Sequence, residues 1–282
     1  MEIKKAIITA AGKSQRILPL QTLVDRDGVP KTALQIIIEE ILKTGVEAIA
    51  IVIWPGDQQA YETAAGAHAR LLTFIEQSAP LGYGHAVYSC RSFTQDQPFL
   101  LLVGDHLYLS QDTRGCAQQL VDVARAESCS VSAVQPTHES KLRYYGAVGG
   151  RRLQNRQRLY EIESVTEKPT PTEAERRLIV PGLRAGNYLC FFGMHVLTPA
   201  IMAILGDLLL EKRASLSLTD ALSLLQRKER YLAYEVEGRR YDIGVRYGLW
   251  IAQLAFALSG KDRQEVLAQT VELLASRAES AQ

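Results

Sequence analysis

Four polar clusters in this chain stand where runs of apolar residues stop. The first, Gly12-Lys13-Ser14-Gln15-Arg16, follows AIITA at residues 6–10 directly. A glycine turn at that point lets backbone N–H groups approach a phosphate, and Arg16 supplies a fixed cation. The segment is neither a G-K-[ST] loop nor a G-x-G-x-x-G fingerprint, and an isolated A-A-G turn serves structure as readily as binding. The second cluster, Gly104-Asp105-His106, closes the run FLLLV. A carboxylate ending so apolar a strand is costly to bury unless it binds a cation or caps a helix, so Asp105 is a candidate Mg²⁺ ligand. His106 is expected beside that ligand or at the surface, not as a base. The third, Glu167-Lys168-Pro169, taken alone is a solvated strand end. The fourth, Tyr241-Asp242-Ile243-Gly244, precedes a helical pattern that Asp242 could cap. Its value comes from pairing with Asp105: two carboxylates, with Arg16 and Lys168 as cations, make a magnesium–phosphate site.

Such a site needs a scaffold that brings distant strand ends together. Residues 6–10 and AIAIVI at 48–53 are continuous apolar runs, as expected of strands buried on both faces. Between them Leu34, Ile37, Ile38, Ile41 and Leu42 recur at helical spacing, with Gly45 just beyond. Helix-like stretches at 58–71, after Gly84 and at 113–126 alternate with strand-like runs at 72–75, 99–103 and 130–134. Alternation of this kind predicts βαβ units in a mostly parallel sheet covered by helices, with ligands at the carboxyl ends of its strands.

From Tyr144 the rhythm changes. Residues 145–148 and 160–165 are expected to pair around a polar turn at 149–158, its Arg-rich stretch 151–158 a solvated tip. A strand near 188–192, helices near 199–205 and 220–227, and a strand at 232–236 follow. From Arg246 onward two helices are expected, broken near Ser259-Gly260. No repeat or Pro/Gly/Ser linker divides the chain. The expected organisation is a Rossmann-like mixed α/β domain over 1–258, with 259–282 a C-terminal helical extension of it.

The chain has 282 residues and a formal charge of +1, which argues against nucleic-acid binding, since phosphate contacts along a duplex need a cationic excess. Hydrophobic residues make up 47% and charged residues 22%, ordinary for a domain with a full core. No apolar run reaches the ~18–20 residues of a membrane span. Cys90, Cys116, Cys129 and Cys190 form no C-x-x-C pair, which points to free thiols in a reducing cytoplasm.

Taken in order, these clusters resemble the sugar-1-phosphate nucleotidylyltransferases, and within them the bacterial UTP–glucose-1-phosphate uridylyltransferases. The matching pieces are KAIITAAG ending at Gly12, RILP from Arg16, LGYGHAV from Leu81, FLLLVGD ending at Asp105, Tyr145-Gly146, VTEKP from Val165, LTDA from Leu218 and YDIG from Tyr241. They run colinearly through residues 5–258. The resemblance implies that Ala11, Gly12 and Arg16 hold a nucleoside triphosphate, most readily UTP, and that Gln77 and Gly82 read its base. It implies Asp105 and Asp242 as Mg²⁺ ligands, Gly146 and Glu167 as sugar contacts, and Lys168 on the sugar phosphate. Dimers or tetramers are implied as well. The chemistry would be in-line attack of a sugar-1-phosphate oxygen on the α-phosphorus. That nucleophile is already an anion and needs no general base, only positioning and charge neutralisation.

The chain departs from the family's pattern near its start. The family's loop is G-x-G-[ST]-R, but here Ser14 stands at the second glycine and Gln15 at the hydroxyl residue. A P-K-x-x-L-P lysine followed by D-K-P is replaced by LQTLVDRDGVPK, in which Lys31 takes either lysine's place. Two further readings therefore stay open: a non-catalytic nucleotide or nucleotide-sugar binder, and an enzyme for another base or sugar phosphate. His85 is expected to pack or cap near a helix start. Tyr83, Tyr144 and Tyr145 are candidates for half-buried strand aromatics or for the wall of a sugar pocket.

Overall fold

A computed structural model describes residues 1–13, 15–211 and 215–279; Ser14 and the last three residues of the expected extension lie outside the described residues. The run at 6–10 becomes β1 (Lys5–Thr9), flanked in parallel by β4 (Ala48–Ile53) and β6 (Phe99–Val103), with β5 (Leu72–Glu76) parallel outside β4. Ile7 enters one apolar cluster while Ala6 and Ile8 enter the other, so both faces of the strand are dry. That explains why its sequence does not alternate. Between β1 and β4, α1 (Ala33–Leu42) buries Leu34, Ile37, Ile38 and Ile41, and a reciprocal capping box of Thr32 and Gln35 starts it. The expected helix at 58–71 divides into α2 (Gln58–Ala65) and a 3₁₀ turn at Gly66–Leu71.

Farther along come α3 (Tyr83–Tyr88), α4 (Arg91–Thr94), α5 (Cys116–Glu127) and β8 (Ser130–His138). The hairpin appears as β9 (Ala147–Arg152) and β10 (Leu159–Thr166), antiparallel as expected. It is followed by β11 (Asn187–Leu197), α7 (Ala200–Leu210), α8 (Leu218–Lys228) and β12 (Tyr231–Glu235), with α6 (Pro171–Arg177) between β10 and β11. Among the described residues the main sheet has 9 strands in the order β5-β4-β1-β6-β11-β8-β12-β10-β9. The sheet is mixed. Its antiparallel share exceeds what strand–helix alternation alone predicts, because β11 runs antiparallel to β6, β8 and β9.

Three elements were not anticipated. A small ribbon of β2 (Thr22–Val24) and β3 (Pro30–Thr32) precedes α1. A second ribbon pairs β7 (His106–Ser110) with β13 (Gly238–Asp242), in a register that sets Asp242 opposite His106. The third is α6, whose Thr170–Glu173 capping box and Pro171 in the first turn were a legible start signal. The two expected C-terminal helices are α9 (Gly248–Leu258) and α10 (Arg263–Glu279), and the Lys261 N–H bonds the Arg26 carbonyl at 2.9 Å in the β2–β3 ribbon. All four cysteines are buried free thiols, and burial pushes that of Cys90 up to about 12. No helix among the described residues is long and apolar enough to cross a membrane.

Candidate active site

A cavity of about 490 Å³ opens over the carboxyl ends of β1 and β6, floored by Thr9, Ala10 and Gly104. The two strand ends approach so closely that the Gly104 N–H donates to the Thr9 carbonyl at 2.9 Å, and a Cβ on Gly104 would lie 2.9 Å from the same oxygen. Only glycine closes this junction without displacing backbone. On one side the turn after β1 contributes Ala11, Gly12, Lys13 and Gln15 to the wall, and its N–H groups at Gln15 and Arg16 fold back onto the Gly12 carbonyl at 2.9 and 2.8 Å.

Two cations expected there stand outside the wall. Arg16 pairs with Asp57 at 3.1 Å and lies over the Trp54 ring at 5.8 Å. Lys31 is shared between Asp25 at 2.8 Å and Glu39 at 2.7 Å. Burial alone would raise the Asp25 carboxyl, but the Lys31 ammonium and the N–H groups of Val29 and Asp27 outweigh it and hold it below its ordinary value. Burial likewise opposes the charge on Lys31, and its two carboxylate partners more than restore it.

Beyond β5 the chain delivers Gln77 to the opposite wall, only 6% exposed. Its amide nitrogen donates to the Gly82 carbonyl at 3.2 Å and meets His85 Nδ1 at 3.0 Å. A carbonyl can only accept, so the Gly82 contact fixes which end of the amide is nitrogen, and His85 Nδ1 is the acceptor of its second N–H, while burial lowers the His85 pKa. This leaves Oε1 as an acceptor for a ligand N–H. Gly82 holds φ +103°, and a Cβ there would lie 2.7 Å from the Leu216 carbonyl, so the turn requires glycine. His85 thus packs against Gln77, in line with the expectation for it.

The β7–β13 ribbon creates the acidic corner. Ligand atoms of Asp105, His106 and Asp242 all lie within 4.8 Å of one another, although the last two stand 136 positions apart in the chain. His106 Nδ1 meets Asp105 Oδ1 at 2.8 Å, and the Gly244 N–H donates to Asp242 Oδ1 at 2.9 Å. Asp105 and His106 line the cavity; Asp242 stands behind them. Two convergent carboxylates are hard oxygen donors, and this donor set fits a divalent cation such as Mg²⁺. The Tyr83 hydroxyl is buried in the adjoining wall, where desolvation first, and then the charges of Asp105 and Glu167, raise its pKa.

At the far end Gly146 presses against Phe191 and Glu167: an added Cβ would lie 2.8 Å from Phe191 Cδ2 and 3.0 Å from Glu167 Oε2. Glu167 Oε2 accepts from the Thr219 hydroxyl at 2.6 Å. Lys168 sits at φ +45°, unusual for a side chain that is not glycine, with Nζ 3.8 Å from Glu167 Oε1. Such a conformation costs energy and concentrates at sites that use it. Tyr83, Tyr144 and Tyr145 all line the cavity, so of their two readings the pocket wall is the one observed. The cavity therefore gathers Ala11, Gly12, Gln77, Gly82, Asp105, Gly146, Glu167 and Lys168, with Asp242 behind; Arg16 and Lys31 remain in ion pairs outside it. Missed from sequence were Phe191, Gly193 and His195 on β11, which lie in an apolar strand without any polar signature.

Residues 5–257 match the family model described as nucleotidyl transferase. A UTP–glucose-1-phosphate uridylyltransferase of Bacillus subtilis is 30% identical, covering 99% of both chains. One from Streptococcus pneumoniae is 29% identical over 91% of each. Among solved structures, a UDP-glucose pyrophosphorylase complexed with UDP-glucose superposes with a TM-score of 0.73 at 24% identity, covering 90% of this chain and 98% of that one. A UTP-bound enzyme from Acinetobacter baumannii gives 0.73 at 23% identity, covering 96% and 100%. At those identities the superpositions speak for the fold.

Proposed function

Because the chain belongs to the nucleotidyl transferase family, we propose that it transfers the uridylyl group of UTP to glucose-1-phosphate, giving UDP-glucose and pyrophosphate. The observation that carries this reading is the convergence on one cavity of a glycine turn, an oriented glutamine amide, two carboxylates and the Glu167-Lys168 pair. Gly12 and its neighbours cradle the triphosphate, and Gln77 Oε1 accepts the N3–H of uracil, an atom that cytosine lacks. Gly146 and Glu167 hold the sugar, and Lys168 holds its phosphate. An oxygen of that phosphate attacks the α-phosphorus; the new P–O bond forms as the bond to the bridging oxygen breaks, and pyrophosphate leaves with the electron pair. Asp105 and Asp242 would hold Mg²⁺, which when bound supplies positive charge beside the α-phosphate. Arg16 reaches the phosphates by exchanging Asp57 for them.

We further propose that residues 259–282 extend this same domain, and that the protein works in the cytoplasm as a homo-oligomer. The bond from Lys261 to Arg26, the four free thiols and the exposed Trp250 and Ile251 on α9 support these readings.

One observation favours a second reading: with Arg16 and Lys31 both committed to carboxylates, the site could bind a nucleotide sugar without turnover. Pyrophosphate release, measured with each of the four NTPs and glucose-1-phosphate in the presence of Mg²⁺, separates the two. Release with UTP supports catalysis. Thermal stabilisation by UDP-glucose with no release for any NTP supports the binder.

A further inference from the structure

Behind the sugar end of the cavity, three polar side chains cross adjacent strands of the sheet inside an otherwise apolar layer. His195 on β11 lies directly opposite Ser132 on β8, and β12 beyond it contributes Tyr231. All are buried, at 3%, 0% and 1% exposure respectively. The Ser132 hydroxyl is within hydrogen-bond reach of His195 Nδ1 and also of the Tyr231 hydroxyl.

The proton positions follow from counting donors and acceptors. Among the described residues the Tyr231 hydroxyl has Ser132 as its one partner, so its proton goes to the Ser132 oxygen. Ser132 has a single proton of its own, and the remaining acceptor is His195 Nδ1. The reverse order, with Nδ1 protonated, would leave the Tyr231 O–H buried without an acceptor, which a protein interior penalises. The ring therefore carries its proton on Nε2. Burial drops the ring's pKa to about 3, so it stays uncharged across the physiological range. Nε2 has no protein partner among the described residues, and the ring lines the cavity edge-to-face with Phe191, their centroids 5.0 Å apart.

We infer that His195 donates a hydrogen bond through Nε2–H to an oxygen of the bound sugar, and that Ser132 and Tyr231 are positioning residues that set its tautomer. This rests on reading the cavity as a sugar-phosphate site. A neutral donor at this edge complements its neighbours: Glu167 offers the sugar acceptors, and Lys168 is a cation suited to the phosphate. An uncharged, fixed N–H grips a hydroxyl oxygen without drawing the phosphate to the wrong end. Its loss leaves a polar atom of the ligand unpaired, which is how such sites reject analogues lacking the matching group.

The test uses the full chain with ¹⁵N-labelled histidine; there are only 5 histidines to assign, and His195→Gln identifies the signal. The expected spectrum shows Nε2 protonated and Nδ1 bare between pH 5 and 8, with the Nε2–H resonance moving on addition of UDP-glucose. Tyr231→Phe should mix the tautomers. In steady-state assays His195→Phe should raise the KM for glucose-1-phosphate about 5- to 10-fold, the worth of one neutral hydrogen bond. The KM for UTP should stay within about 2-fold, and His195→Gln, which keeps a donor, should recover most of the loss. A protonated Nδ1, a resonance indifferent to UDP-glucose, or an unchanged sugar KM in His195→Phe overturns the inference. Failure of the functional reading is distinguishable: the wild-type protein would then release no pyrophosphate, while the tautomer and its response to UDP-glucose still judge His195.

Discussion

Acid should destabilise this protein through His195, by an amount the structure sets. An exposed imidazole titrates near 6.5, and burial lowers this one to about 3. As pH falls through 6.5 the unfolded chain takes up the proton while the folded ring does not. The stability present above 6.5 is therefore progressively lost down to about pH 3. At pH 5 the two states differ by about 1.5 pH units of proton binding, and at ~1.36 kcal/mol per unit this is about 2 kcal/mol. His85, also lowered by burial, and Asp25 add slopes of the same sign, so the contribution must be isolated by difference. His195→Gln keeps a polar partner for Ser132 but cannot titrate. Urea unfolding of both proteins at pH 7 and pH 5 should show the wild type losing about 2 kcal/mol more than the variant. Equal losses would mean that the folded ring accepts a proton as readily as an exposed one, and the buried relay would be wrong.

Other substitutions divide the site into its parts. Asp105→Ala and Asp242→Ala should each lower pyrophosphate release about 100-fold or more while the thermal midpoint changes little; near-normal turnover in either removes that aspartate from the acidic corner. Gly146→Ala drives a Cβ to 2.8 Å from Phe191 and 3.0 Å from Glu167, so the KM for glucose-1-phosphate should rise about 10-fold with the UTP KM far less affected. Lys31→Met strands Asp25 and Glu39 and should cost about 1–3 kcal/mol in urea unfolding. A raised UTP KM with unchanged stability would instead put the Lys31 ammonium on the triphosphate.

Much of this architecture could be read from residue types. Strands buried on both faces announce themselves as unbroken apolar runs, which made β1, β4 and β6 legible, and the ligands of α/β sheets gather where such strands end. Gly12 and Asp105 were legible as candidates for that reason, whereas Glu167, taken alone a solvated strand end, became a candidate only through the family resemblance. The β7–β13 ribbon was not, because its strands are short and one of them, GRRYD, is polar. Yet that pairing is what brings Asp242 to Asp105. The positions of Arg16 and Lys31 depend on competition between carboxylates that come from separate elements, Asp57 before α2, Asp25 beside β2 and Glu39 in α1, and no local pattern encodes it. His195 was invisible for a different reason. In sequence it is a lone histidine in an apolar strand, and only the cross-strand register supplies the Ser132 and Tyr231 that give it a defined proton.

The reaction proposed for this cavity joins the phosphate of the sugar to the α-phosphate of the nucleotide. Phosphorus NMR of the purified protein with UTP, glucose-1-phosphate and Mg²⁺ follows every reactant at once. The expected result is UDP-glucose and pyrophosphate appearing in equal amounts as UTP and glucose-1-phosphate decline together. Unchanged UTP and glucose-1-phosphate resonances with folded protein, or inorganic phosphate in place of pyrophosphate, would contradict it.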